Sequence, residues 1–491
     1  MASTTDNSRT PPRSRPWNGA ALRERFADAG ITMPWTLAYQ SVDVEELSAE
    51  TQVAGKMPDG LRGTLYRNGP ARHERGGQRY AHRWDGDGMI QQFRFHENGV
   101  SHLGRYIATQ KHRLESERDA FVATTFGTAV PGSRNDEEGL ALANAANINV
   151  VPFDGELLAL WEAGPAYRVH PDTLATLGLR TWGASLQRAP FSAHPKVDND
   201  GTMWNFGIDP IKDELFIYCL EPGRGLVRGH RMHVPQLAPA HDFVATRAHL
   251  VFLLPSMLVD KDRINAGVSF GESCQWLPSI GMRALVVSKE DWSTRVYELP
   301  PGCLFHIANA WERDDGCIDV EYLRAETPMS LLAGWTIMQG EYRHRDGAHL
   351  TRLMLNPRTG RASQETIEET DAEFPVVDAA DAGVRCSPVL CLERSATRPS
   401  DVPGFDRVSV LDTQSGSKQS FAYGSDWLVE EHVLAGPRGG APRWIVGAAL
   451  DTGQRQTVVS AFHVNNVEAG PLMQARLPYA LPLGLHGCFV A

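Results

Sequence analysis

Four histidines carry the chemistry open to this chain: His194, His241, His306 and His486, spread over 293 positions. Each has its own short context. These are Ser192-Ala193-His194-Pro195-Lys196-Val197-Asp198, Ala240-His241-Asp242-Phe243, His306-Ile307-Ala308-Asn309-Ala310-Trp311-Glu312 and Gly484-Leu485-His486-Gly487. Neutral imidazole is the commonest protein ligand for iron and its neighbours. Spacings of 47, 65 and 180 residues are too wide for a zinc finger or for two histidines one helical turn apart. If the four rings meet, the fold must carry remote segments to one axis. A closed, radially repeated architecture does that.

The elements between the histidines suit such an architecture. Helical periodicity is rare, with Ala20 to Ala29, Leu114 to Ala120 and Pro328 to Ala333 the best stretches. Short strands bounded by turn residues dominate. Met89–Phe95 and Val100–Ile107 flank Glu97-Asn98-Gly99; Asn149–Pro152 and Glu156–Trp161 flank Asp154-Gly155; Val408–Asp412 and Lys418–Tyr423 flank Gln414-Ser415-Gly416. Pairs at Met203–Gly207 with Glu214–Leu220, Ala284–Ser288 with Thr294–Leu299, and Trp444–Ala449 with Thr457–His463 extend the series. The reading is all-β, a propeller of four-stranded blades. At about 65–70 residues per blade the chain holds about seven. Residues 17–491 read as one catalytic propeller domain. Residues 1–16, rich in Ser, Thr, Pro and Arg, read as a disordered tail.

Composition narrows the partners. The formal net charge of −11 argues against nucleic acid. No run of 18 apolar residues marks a spanning helix. Seven cysteines without a CxxC pair read as free thiols in a reducing, cytoplasmic setting. The segments Phe121 to Pro131 and Leu253 to Trp276 read as apolar cap loops. They would either pack on the propeller top or give the protein a peripheral contact with membrane.

Several motifs recur in the order found in one family. They are Leu65-Tyr66-Arg67-Asn68-Gly69-Pro70, Trp84-Asp85-Gly86-Asp87-Gly88-Met89, Leu158-Ala159-Leu160-Trp161-Glu162, the four histidine segments and Glu373-Phe374-Pro375. From Leu61 to Val490 the chain resembles the carotenoid cleavage oxygenases, non-haem iron enzymes that split alkenes with O2. The resemblance implies a seven-bladed β-propeller with helices and loops capping one face. It implies Fe(II) on His194, His241, His306 and His486. It also implies that Glu162, Glu373 and Glu431 hold three of the rings, with Glu430 as the alternative to Glu431. A ligating imidazole that gives its other N–H to a carboxylate is fixed in tautomer and made more basic. Glu162, after an apolar run, reads as a buried carboxylate that needs such a partner.

Two departures from the family pattern bear on the site. Ile148 stands where the family usually has Thr, beside an open iron position, and its bulk crowds that position while leaving one face for O2. Trp161 stands where relatives that cleave hydroxystilbenes carry a Lys that contacts the phenol. Trp161 offers a flat apolar surface, which suits a polyene. Trp161, Phe305 and Phe374 are therefore the expected substrate contacts. The expected activity is O2-dependent cleavage of one C=C bond in a carotenoid or apocarotenoid, giving two carbonyl products. The partners are O2 and a lipophilic alkene. The alternatives are cleavage of stilbenes or phenylpropenoids to aromatic aldehydes, and a propeller that binds without catalysis.

Overall fold

A computed structural model describes residues 17–133, 137–183, 186–385, 388–437 and 440–491. The tail expected at residues 1–16 lies outside them. Seven antiparallel sheets, five of four strands and two of five, form the blades. Their inner strands, in ring order, are His486–Val490, Asn149–Phe153, Lys196–Val197, Phe243–Ala245, Cys303–Glu312, Ala372–Val376 and Trp427–Ala435.

Each blade is a meander with a pleat that buries both faces. The buried apolar side chains therefore fall into clusters between neighbouring blades rather than into one centre. Phe206 and Ile217 of the third blade pack on Phe243 and Phe252 of the fourth. Leu253 and Val286 of the fourth meet Val320 and Leu353 of the fifth. Phe462 of the seventh meets Leu390 and Val408 of the sixth. The run Val251–Leu254 belongs to a strand, His249–Leu254, that is buried at every residue but the first. It is not part of a cap loop. Phe121, Met257 and Val259 are buried too. These apolar residues thus pack inward, while Val122, Phe126 and Leu258 are half-buried. No helix among the described residues is long and apolar enough to cross a membrane.

Chain ends close the ring. The first blade takes its inner strand, His486–Val490, from the C-terminus, paired with Gly63–Arg72. The seventh takes its outer strand, Gln52–Gly55, from the N-terminal region, paired with Met473–Arg476. Glu46–Glu50, just before Gln52–Gly55, pairs instead with Val100–Tyr106 at the outer edge of the first blade. Two successive N-terminal strands thereby span the seam.

Polar staples run round the axis. Asn68 donates to the carbonyls of Ala146 and Asn149, and Asn149 donates to Ala193 at 2.7 Å. Asp242 accepts the Ile307 N–H, and Asn309 donates to the carbonyls of Asp381 and Val384. Each joins one blade to the next and satisfies backbone groups that the inner loops would otherwise bury unpaired.

Helices Gly19–Ala29, Gln110–Arg118 and Met329–Ile337 lie within a few residues of the stretches expected from sequence. Phe26, Tyr80, Phe121 and Ile337 share a separate apolar cluster there. The turn in Trp84-Asp85-Gly86-Asp87 organises this region. Asp85 accepts from the His82 and Gly127 amides and the Thr128 hydroxyl, and Asp87 pairs with Arg75 and Lys111.

Candidate metal centre

The structure brings His194, His241, His306 and His486 together, each in or within two residues of the inner strand of its blade. One ring nitrogen from each lies within 4.8 Å of all the others. His194 Nε2 is 2.9 Å from His241 Nε2, and His306 Nε2 is 3.2 Å from His486 Nε2. Such spacing between nitrogens that all face inward is what a shared cation explains, since neutral imidazoles cannot all donate to one another.

Carboxylates hold the outer nitrogens. Glu373 meets His306 Nδ1 at 2.5 Å, and Glu431 meets His486 Nδ1 at 2.9 Å. Glu162 contacts His241 Nδ1. Each fixes the proton on Nδ1 and leaves the Nε2 lone pair free for a metal. Glu162 departs from expectation in one respect. Its side chain is 39% exposed, so it is half-buried rather than fully buried, although the Oε1 that faces His241 is shielded from solvent. Among the described residues, no carboxylate meets the ring of His194.

Glu430 and Glu431 do different work. Glu431 also accepts the Gly487 N–H at 2.8 Å. Glu430 turns away to pair with buried Arg67 and accepts the Gly484 N–H. A bulge between Val429 and His432 sets the two apart.

Local electrostatics favour the neutral, ligating form at two of the rings. Burial, reinforced by the neighbouring imidazoles, pushes His194 and His306 well below the usual histidine range. Burial also pushes His241 down, but Glu162 and nearby carboxylates outweigh it and the net shift is upward. Burial raises Glu373 to about 7 against the pull of the Phe374 N–H and the histidines. A divalent cation among the rings would reverse the balance at His241 and Glu373, in favour of neutral imidazole and charged carboxylate, and reinforce it at His194 and His306. The donor set fits such an ion: four neutral nitrogens inside, three acidic residues outside.

The expected substrate contacts occupy different places. Phe305 presents its edge to His241 at 5.6 Å and meets Trp84 at 5.6 Å. Trp84 continues through Phe126 to Trp335 of the cap helix Met329–Ile337. Phe374 lies 5.3 Å from both His306 and His486. Its φ of 56° is a left-handed conformation that a non-glycine residue seldom adopts, and its N–H returns to Glu373 at 2.9 Å. Trp161 is half-buried beside Glu162. Ile148 is half-buried, and its carbonyl accepts the His486 N–H at 3.2 Å.

A cavity of about 160 Å³ adjoins the histidines, lined by Asn149, Lys196, Asp242, Ile307 and Phe374 among others. Lys196 and Asp242 carry a salt bridge of 2.8 Å there. Neither has an expected role in the sequence. Both stand next to or near a histidine in the quoted motifs, which was the available signal.

A fold of this kind with this centre defines a class. Residues 39–491 match the model of the retinal pigment epithelial membrane protein family (RPE65). The chain belongs to this family, that of the carotenoid cleavage oxygenases. It is 26% identical over 471 residues to apocarotenoid-15,15'-oxygenase of Synechocystis, covering 92% of this chain and 95% of that protein. It is 26% identical over 478 residues to resveratrol cleavage oxygenase 1 of Aspergillus fumigatus, covering 91% and 93%. The crystal structure of cobalt-substituted Synechocystis ACO superposes with a TM-score of 0.84 at 24% identity, covering 93% of this chain and 98% of that one.

Proposed function

We propose that this protein is a ferrous oxygenase that cleaves one C=C bond of an apocarotenoid or carotenoid with O2, giving two carbonyl products. The convergence of four imidazoles with three carboxylate-held outer nitrogens is the observation that carries this reading. His194, His241, His306 and His486 would hold Fe(II); Glu162, Glu373 and Glu431 would keep three rings oriented and offset the ion's charge. When bound, iron supplies the electrons that let O2 react with an alkene.

The chain's own part is positioning and exclusion of water. No side chain needs to give or take a proton, because both oxygen atoms end in the two carbonyl groups. Phe305 and Phe374 offer flat apolar surfaces beside the rings, and Trp161 one next to Glu162, suited to a rigid polyene. Where that polyene stops sets which bond is cut. Ile148, with its backbone on His486, would restrict approach to one face of the ion. At the place of the phenol-binding cation of stilbene-cleaving relatives, Trp161 supplies no charge, which favours the polyene over the stilbene.

The test is product analysis. Fe(II)-loaded protein under O2 is given, separately, a C20–C30 apocarotenal and resveratrol. The reading expects paired carbonyl fragments from the polyene. Aromatic aldehydes from resveratrol with no polyene cleavage would replace it by the stilbene reading, and no turnover of either by the binding-only one.

A further inference from the structure

His194 differs from the other three rings in having no carboxylate partner among the described residues. Its segment is held another way. Lys196, two residues on, reaches Asp242 at 2.8 Å. Asp242 follows His241 directly, and its side chain is only 2% exposed. One of its oxygens also takes the Phe243 N–H at 2.8 Å, and the other takes the Ile307 N–H at 2.8 Å. Ile307 follows His306. The regular ladder of Cys303–Glu312 shifts register on both sides of Ile307, so its N–H looks to Asp242. One buried carboxylate thus gathers the backbones that carry His194, His241 and His306. All three tie residues line the same cavity against the rings.

We propose that Lys196 and Asp242 form a positioning tie that fixes the spacing of three metal-binding histidines and takes the place of the carboxylate His194 lacks. The inference rests on the metal reading above. Its physical content is preorganisation. A ring whose Nδ1 has no fixed acceptor keeps its position only if its backbone is clamped, and loosening that clamp changes the ligand geometry before it changes the fold. The salt bridge between Lys289 and Asp198, 2.8 Å, lies between the same two blades without touching any of the four rings. It supplies the comparison for a tie that is structural alone.

The experiment uses the full chain freed of metal and titrated with Co(II), followed by visible ligand-field absorption. Wild type is expected to take up one Co(II) per chain. Lys196→Met and Asp242→Asn should weaken that uptake about 10- to 100-fold and move the absorption band. Asn at 242 keeps one acceptor oxygen of the two, so this variant removes the charge and one of the two backbone N–H contacts, whereas Lys196→Met leaves both in place. Lys196→Arg should restore affinity to within a few-fold. Lys289→Met should lower the melting temperature without changing affinity or band. Wild-type affinity and an unmoved band in both Lys196→Met and Asp242→Asn would overturn the tie. Should Asp242→Asn fail to fold, Lys196→Met decides alone. A wild type that binds no Co(II) would remove the metal reading itself, which is a distinguishable result.

Discussion

Adjacent acids in one strand separate two kinds of contribution. Glu431 reaches a ring and Glu430 reaches Arg67. Glu431→Gln should reduce metal affinity about 10- to 100-fold, as loss of such an outer carboxylate does elsewhere, with little change in melting. Glu430→Gln leaves buried Arg67 without a counter-ion and should cost about 3–5 kcal/mol of stability, read by chemical denaturation. Equal effects of the two on metal affinity would contradict the assignment. His241→Ala should abolish iron retention and turnover while circular dichroism stays β-rich; full activity would remove His241 from the ligand set. The histidines and Glu373 were legible because each has a motif around it. Lys196 and Asp242 were not, since a lysine and an aspartate so far apart read as solvated charges until the fold joins them. The burial expected for Glu162 is found at its Oε1 and not over the whole side chain, because the apolar run marks burial along Glu156–Leu160 and ends before residue 162.

Strands were legible where a turn with a physical cause bounds them. Thr294–Leu299 was read to the residue, and Asp154-Gly155 marks its hairpin by positive φ at both positions. In sequence, part of the strand His249–Leu254 reads as a loop. A continuous apolar run carries no alternation, and nothing local separates a strand buried on both faces from a buried loop. Closure was also invisible, because Gln52–Gly55 and His486–Val490 find partners hundreds of residues away. The closing strand predicts a coupling. In Gly484, just before His486, a Cβ would collide with the Arg67 side chain. Gly484→Ala should therefore lower the melting temperature and loosen metal binding together. A lower melting temperature with unchanged affinity would show that the segment's position does not reach the ring.

Because the cores lie between blades, stability is shared round the ring, and buried ionisable groups make it depend on pH. Burial pushes His73, His82 and His102 down to about 3 and His432 down to about 4. All four stay neutral in the folded protein where an unfolded histidine, near 6.5, takes up a proton. The unfolded state binds more protons below that value, so stability is full above about 6.5 and falls with pH towards 3–4. Each ring contributes at most about 1.4 kcal/mol per pH unit across that window. The melting temperature of metal-free protein should fall steadily from pH 6.5 to 4, and a flat profile would contradict neutral burial.

Ferrous protein exposed to nitric oxide, a diatomic probe for the place O2 would take, gives the decisive test of the four-histidine iron centre. One iron per chain, four imidazole nitrogens by X-ray absorption and a nitric oxide adduct visible by electron paramagnetic resonance are the predicted result. Iron held by fewer than four imidazoles, or four with no adduct because protein donors fill every position, would contradict it.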